Sequence, residues 1–470
     1  MAWLLDRVAQ WPPWSLYTFA GLSLCLVLLH VVEKTVFVAR CESKASPDRS
    51  EAAPEREGKP CGKHDASTAF PRFQRQYLSV YCLVMFADWL QGTHMYSLYQ
   101  SYGLNVGALF LTGFLSSAVF GNFVGPIVDN YGRRNACLVY CLLEVIVINL
   151  LENVNSMAVL LVGRVLGGIS TALLFCAFES WMVTEHKARG YDQQSLARTF
   201  ANASEANGIL AVVAGLVAQV AADAMGHIGP FRLAVVVTAL AALLVLDWPE
   251  NYGLEFASSK KTQKQEHGSN NNMMNVYALG LAYSLFEGAI LSFACWYSLL
   301  STRSTVFLWY PTLEAIAPRA NVPGGLVFSI FMVSIAVGGK LFGIFQRSLG
   351  EEALGVAVVS VATLSLTMPM FQANFWWIFG GFVLFEVCVG MFAPCCAALR
   401  SRHFPSERLS TTLGFFRLPT NVLVVLGTGA ESYMSSHQLF CGCCVVLAAA
   451  TFCAAMLARG STGNSKTKTR

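Results

Sequence analysis

The sequence predicts an all-α polytopic membrane protein, built as two six-helix bundles with one extra amino-terminal transmembrane helix. Three observations predict it. Of 470 residues, 55% are hydrophobic and only 13% charged, about half the charged share of a soluble domain. Apolar stretches of roughly 20 residues, the length that crosses a bilayer, recur along the whole chain. The basic residues fall in alternate gaps between these stretches, as expected for loops that stay on the cytoplasmic face.

Taken in order, the apolar windows lie at 15–38, 76–100, 105–128, 136–153, 157–183, 200–223, 230–248, 274–300, 322–346, 353–371, 374–398, 411–430 and 436–458. The first has little positive charge before it and no small-x-small cleavage pattern after it, so it reads as an anchor helix (1–39) and not as a signal peptide. Residues 40–75 and 249–273, rich in Lys, Glu, Ser, Asn and Gln, read as cytosolic linkers. They delimit bundles at 76–248 and 274–458, with a cytosolic tail at 459–470. Gaps carrying Arg133 and Arg134, Lys187 and Arg189, Lys260, Arg347, Arg400 to Arg408 and the tail are basic, whereas those near 103, 154, 226, 372 and 433 are bare, with Arg303 and Arg319 as exceptions to the alternation. The bare loops are therefore expected outside and the carboxy terminus inside.

Fifteen cysteines lie mostly within apolar runs, without histidines at ligand spacing. They read as packing residues, and neither a metal site nor a disulfide framework is expected. A net charge of +4 is too small to point to nucleic acid. No nucleotide loop or nucleophile-base pattern suggests an enzyme, and no cofactor is expected.

Two six-span halves are the layout of many secondary transporters, which bind solute near the midplane between the halves. Numbered from residue 76, core spans 1, 4, 7 and 10 carry Asp88, Glu179, Glu287 and Glu386. Lipid does not tolerate such charges, so these spans are expected to face one another across a cavity. In span 4, Arg164, Gly168, Thr171, Phe175 and Glu179 fall within about 60° on a helical wheel, and the two charges are about 22 Å apart along the axis. They share a face and do not pair.

Between spans 2 and 3 stands GPIVDNYGRRN, that is Gly125, Asp129, Gly132, Arg133 and Arg134. This resembles the G-x-x-x-D-x-x-G-R-R/K loop motif of the major facilitator superfamily, and Arg164-x-x-x-Gly168 resembles its second motif. The second half offers only Gly343 to Arg347 as a copy. ADWLQG (87–92), VGRVLGGISTALLFCAFESW (162–181), WPENYG (248–253), LFEGA (285–289), FLWYP (307–311) and 386–422 are similar to the molybdate-anion transporter branch of that superfamily. About a dozen residues near ACWYSLLSTRST depart from the family pattern by separating Glu287 from Trp309.

The resemblance implies a major facilitator fold, import of molybdate by alternating access, a structural role for the loop motif as a latch, and an extra amino-terminal helix. A tetrahedral dianion calls for cations with many donors. The candidates are Arg164 and Arg417 with Gln91, Tyr96, Tyr99, Thr171, Asn207 and Asn421, with Trp89 and Lys340 nearby. An alternative stays open in which Glu179, Glu205 and Arg417 form an inter-bundle gate salt bridge. Glu185 and His186 are expected to join the latch with Arg133 and Arg134, and Glu144 to be peripheral. Bringing a dianion into a negative-inside cell costs about 4.6 kcal/mol per 100 mV. Asp88, Glu287 and Glu386 are therefore candidate proton carriers, with Glu179 and Glu205 as gate or coupling residues. Another solute (sulfate, an organic anion or a sugar) and a non-transporting receptor remain rivals. The expected partners are molybdate, the lipid bilayer and protons, and the expected location is the plasma membrane.

Overall fold

The computed structural model describes residues 12–45, 63–253, 269–294 and 312–467, apart from interruptions at 93, 154–155, 314–315, 318–321, 323, 347, 372–373, 431–433 and 435. Fourteen α-helices account for most of these: α1 (Pro13–Ala45), α2 (Lys63–Gly92), α3 (Met95–Ser101), α4 (Val106–Tyr131), α5 (Arg133–Asn153), α6 (Met157–Ala188) and α7 (Gln193–Met225) come first. They are followed by α8 (Gly229–Leu246), α9 (Ser269–Ala294), α10 (Gly324–Phe345), α11 (Glu351–Phe371), α12 (Phe375–His403), α13 (Leu409–Ala430) and α14 (Ser436–Thr467). No strand occurs among the described residues.

The sequence marks the helix ends locally. Asn105, Asp192 and Asn374 accept backbone amides at the starts of α4, α7 and α12, at 3.0, 3.0 and 2.9 Å, satisfying donors that a helix leaves open. At Gly132 the chain turns between α4 and α5 with φ +108°, a conformation that a side chain would strain. The Glu250 carboxylate occupies the space that a Cβ would need there and accepts the amides of Arg134 and Asn135 at 2.8 and 3.1 Å.

Twelve described helices are long and apolar enough to cross a membrane. They are α1 and α4 to α14; α3 has only 7 residues, and α2 is 30 residues long but more polar, with Arg72, Gln74 and Arg75 in its first half. The expected window 76–100 divides at Gly92, a poor helix former, and the separate α3 tucks Leu98 and Tyr99 into a small apolar core. Helices α1 and α2 also extend into 40–75, while 46–62 and the ACWYSLLSTRST departure from residue 295 onward lie outside the described residues.

Helices α2 and α4 to α8 pack as one half, and α9 to α14 as the other. The halves meet along two seams, α4 against α13 and α7 against α10 and α12. Glycines let the backbones approach: a Cβ on Gly125 would lie 2.5 Å from the Ser410 carbonyl oxygen, and one on Gly208 2.5 Å from that of Met332. Helix α1 lies against α10, with Trp14 set edge-on to Phe375 and Phe379, ring centroids 5.0 and 5.2 Å apart.

Candidate functional site

The α4–α5 turn marks one end of the bundles, called here the latch end. Asp129, at the last turn of α4, reaches across the seam to the start of α13. Its carboxylate accepts the amides of Ser410 and Thr411 at 3.2 and 2.8 Å and the Thr411 hydroxyl at 2.8 Å. It thereby caps a helix of the other half. Arg133, fully buried, donates to Asp129 at 2.7 Å, to the Ser406 carbonyl at 2.9 Å and to the Thr184 hydroxyl. Lys187 adds bonds to Ser406 Oγ and the Ser401 carbonyl, and Gln193 binds the Ala398 carbonyl at 3.2 Å and Ser401 Oγ. Arg134 contributes its backbone amide to Glu250.

Glu185 and His186 do not join this latch. Glu185 pairs with Arg189 one turn along α6 at 2.8 Å. His186 Nε2 meets the Asp192 carbonyl at 2.9 Å, and its ring packs among Phe70, Phe73 and Tyr191. The α6–α7 turn folds back within reach of each, so short-range partners win over the latch.

Deeper between the halves, α6, α9, α12 and α13 bring together a compact charged cluster. Arg400 on α12 donates two bonds to the Glu179 carboxylate on α6, at 2.8 and 2.7 Å, the bidentate geometry that suits guanidinium. Arg417 on α13 binds Glu287 on α9 at 2.5 Å and lies over the Phe175 ring at 3.4 Å from its centroid. Tyr283 sits between the arginines: Arg400 covers its ring at 4.3 Å, and its hydroxyl is 3.4 Å from Arg417 Nη1. A cleft lined by Gly121, Ala172, Phe175, Cys176, Tyr283, Leu413, Gly414 and Arg417 opens beside them. Among the described residues, the buried atoms Arg400 Nη1, Arg417 Nε and Glu287 Oε2 have no hydrogen-bond partner.

The gate expected among Glu179, Glu205 and Arg417 is thus corrected. Glu179 does bridge the halves, but to Arg400, which lies just past the apolar window 374–398 and so looks like a loop residue in the sequence although α12 continues to His403. Arg417 pairs inside its own half. Glu205 stands on the other seam and pairs with Lys340 of α10 at 2.7 Å, with His30 of α1 3.7 Å away. Glu179 and Arg417 share one cluster but take different partners, while Glu205 lies on the other seam, so similar depth alone does not make an ion pair.

Several donors expected in the cavity bond elsewhere. Buried Gln91 donates to Glu144 at 3.0 Å, and Ser170 donates to the other oxygen of that carboxylate at 2.6 Å. Glu144, expected at the periphery, is therefore the centre of a polar cluster inside the first half. Trp89 donates to Asn207 at 2.9 Å, Thr171 to its own helix at Gly167 at 2.9 Å, and Asn421 to Ser117 across the seam at 3.4 Å. Tyr99 is buried edge-on to Phe110, ring centroids 6.1 Å apart. The Tyr96 side chain lies outside the description. Asp88 is exposed, although its neighbours Ala87 and Leu90 are buried. Glu386 is buried and makes no hydrogen bond or ion pair among the described residues. Those residues also hold no group of three or more His, Cys, Asp or Glu fit for a metal ion.

Comparison with known proteins bears directly on this arrangement. Residues 57–391 match the family model described as sugar transporters with 12 transmembrane helices, and 319–470 match that of the major facilitator superfamily. The chain is 32% identical to a molybdate-anion transporter of Takifugu rubripes over 432 residues, covering 81% of this chain and 86% of the relative. It is 31% identical to the molybdate-anion transporter of Xenopus laevis over 409 residues, covering 83% and 86%. Among solved structures, a human organic anion transporter superposes with TM-score 0.64 at 12% identity, over 82% of this chain and 99% of that one. A bacterial homologue of the iron transporter ferroportin, in an outward-facing state, gives 0.62 at 14% identity, over 83% and 100%. Such low identities speak for the fold alone. Two packed helical halves, a latch built on the loop motif and the extent of these matches agree: the chain belongs to the major facilitator superfamily, in its molybdate-anion transporter branch.

Proposed function

We propose that this transporter is a secondary carrier that imports molybdate across the plasma membrane by alternating access. The observation that carries the solute class is the pair Arg400 and Arg417, facing each other across Tyr283 where the halves meet, each with a buried N–H still unfilled. A tetrahedral oxyanion offers the acceptors that two guanidinium groups lack, and planar forks suit it better than point charges. The molybdate-anion transporter relatives narrow the class to molybdate. Paired arginines and carboxylates favour an anion over a neutral sugar, because a neutral solute leaves those charges nothing to do.

The cycle follows from the seams. Polar bonds between the halves gather at the latch end and at mid-depth: Asp129 with Ser410 and Thr411, Lys187 with Ser406, Glu179 with Arg400, Glu205 with Lys340. This is the pattern of a state closed toward the cytoplasm and able to receive solute from outside. Arrival of an anion competes with Glu179 and Glu287 for their arginines, weakening the closure that those pairs hold, and the halves rock to the opposite opening.

Proton coupling completes the energetics. A carboxylate that takes a proton gives up its arginine, so protonation of Glu287 and anion binding to Arg417 favour each other. Asp88, which is exposed, and Glu386, which has no partner among the described residues, are the other candidate carriers. Two protons per dianion cancel the charge moved against the membrane potential.

The test is uptake of molybdate at nanomolar concentration into cells lacking their own carrier, with tungstate and sulfate as competitors. Saturable uptake competed by tungstate more strongly than by sulfate is expected. Binding without flux is the signature of a receptor, and equal inhibition by sulfate removes the molybdate assignment. In proteoliposomes an inward proton gradient is expected to accelerate uptake; indifference to it ends the coupling reading.

A further inference from the structure

Among the described residues, four cations set within the bundles pair with carboxylates, and Arg164 does not. Arg133, Arg400, Arg417 and Lys340 each have a carboxylate oxygen at 2.7, 2.7, 2.5 and 2.7 Å. Arg164 has no carboxylate in ion-pair contact among the described residues. Its Nε donates to the Leu109 carbonyl at 3.1 Å, its guanidinium stands 5.3 Å from the Phe110 ring centroid, and it rests against Gly113, where a Cβ would lie 2.5 Å from Nη2. Gly113 therefore leaves room for the head group, and the Leu109 bond fixes its orientation. The two terminal nitrogens accept no assignment from the protein: no hydrogen bond from either to a described residue meets normal geometry. They are also not enclosed, since Arg164 is half-buried and neither atom is among the buried unsatisfied ones. Beside them lies the buried Tyr99 hydroxyl, whose contact with the Arg164 guanidinium falls short of normal hydrogen-bond geometry. A guanidinium kept inside a span without a counter-charge is expensive unless an anion visits it.

Position gives this a meaning. Arg164 is the eighth residue of α6, near the end opposite the latch, and Phe175, which carries Arg417 on its face, follows 11 residues later on the same stripe, about 16 Å along the axis. One dianion cannot touch both arginines.

We propose that Arg164 is a second, outer oxyanion station, at which a tetrahedral dianion is held by the two free terminal nitrogens, with the Tyr99 hydroxyl as a further donor, before it passes along α6 to Arg417 and Arg400. The proposal rests on the anion-transport reading above. The two stations differ in their resting state. The inner arginines are held by Glu179 and Glu287, so an incoming anion must displace a carboxylate, whereas at Arg164 no described carboxylate stands in its way. The outer station therefore captures dilute solute, and the inner one couples its arrival to the closure of the halves.

The experiment is equilibrium binding and uptake with the full-length protein in proteoliposomes, using molybdate, tungstate, sulfate and phosphate as separate probes. Wild type, Arg164→Gln, Arg164→Lys, Arg417→Gln and the Arg164→Gln/Arg417→Gln pair are compared. Arg417→Gln is expected to lose transport but keep one class of oxyanion binding, which the double variant loses. Arg164→Gln is expected to raise the half-saturating concentration for uptake tenfold or more while reducing the maximal rate far less, and Arg164→Lys to fall between. If Arg417→Gln alone abolishes all binding, or if Arg164→Gln lowers the melting temperature and the maximal rate with an unchanged half-saturating concentration, Arg164 only packs α6 on α4 and the proposal falls. Sulfate or phosphate binding that depends on Arg164, with no molybdate binding, keeps the station and overturns the solute assignment. No binding of any of the four overturns both.

Discussion

A buried ion pair is judged by what happens when half of it is removed. Arg400 and Glu179 are 6% and 18% exposed at their side chains, so Arg400→Leu leaves a carboxylate in a poorly solvated place. Loss of one partner of such a pair typically costs about 3–5 kcal/mol, whereas replacing both is often nearly neutral. Thermal melting in detergent is therefore expected to fall clearly for Arg400→Leu and to recover most of the way in Arg400→Leu/Glu179→Leu, with transport lost in both. Equal melting of the single and double variants would show that the pair carries no such penalty. Arg417→Lys is a sharper probe of chemistry than of stability. It keeps the charge beside Glu287 but removes the planar fork that lies on Phe175, and molybdate uptake is expected to drop at least tenfold.

Helices slide and separate only where their faces allow it, and the α4–α13 seam is set by small residues. Gly125→Val places a Cβ on the Ser410 carbonyl at 2.5 Å, a contact between two backbones that no rotamer can relieve. It is expected to hold the latch end open and abolish uptake, whereas Gly167→Ala, with nothing within 4 Å of its Cβ, leaves uptake intact. The check is uptake per molecule at the membrane, alongside thiol labelling of Leu413→Cys in the cleft, which rises only in the Gly125→Val background. Helix α1 is held differently, by aromatic edges. Each of the Trp14 edge contacts, to Phe375, Trp376 and Phe379, contributes about 0.5–1.5 kcal/mol beyond burial, so Trp14→Ala is expected to lower the melting temperature by a few degrees. Uptake persists, because no cluster residue touches Trp14.

Across the whole molecule, the alternating access proposed above requires α4 and α13 to move apart along their seam, at whose mid-depth Asn421 and Ser117 meet at 3.4 Å. Bridging Ser117→Cys and Asn421→Cys with a short reducible thiol cross-linker is expected to arrest uptake and reduction to restore it, while identically treated wild type is unaffected. Uptake that continues through a verified cross-link would exclude a parting of α4 from α13.

At this scale the division between sequence and structure is clear in particular residues. Apolar run length and the placement of basic residues determined that the chain is helical, membrane-crossing and split into two halves, because a bilayer sets span length and charged groups cannot be left in lipid. The spacing of Gly125, Asp129 and Arg133 marks the turn between α4 and α5, since all three lie within nine residues of the chain. Tertiary structure alone decided the partners: Glu179 with Arg400, 221 residues away, Arg417 with Glu287, 130 away, and Gln91 with Glu144, 53 away. Helical periodicity reports depth and facing within one helix, but which residue meets it from a neighbour depends on crossing angle and axial offset between packed helices. No local pattern in the chain records those two quantities.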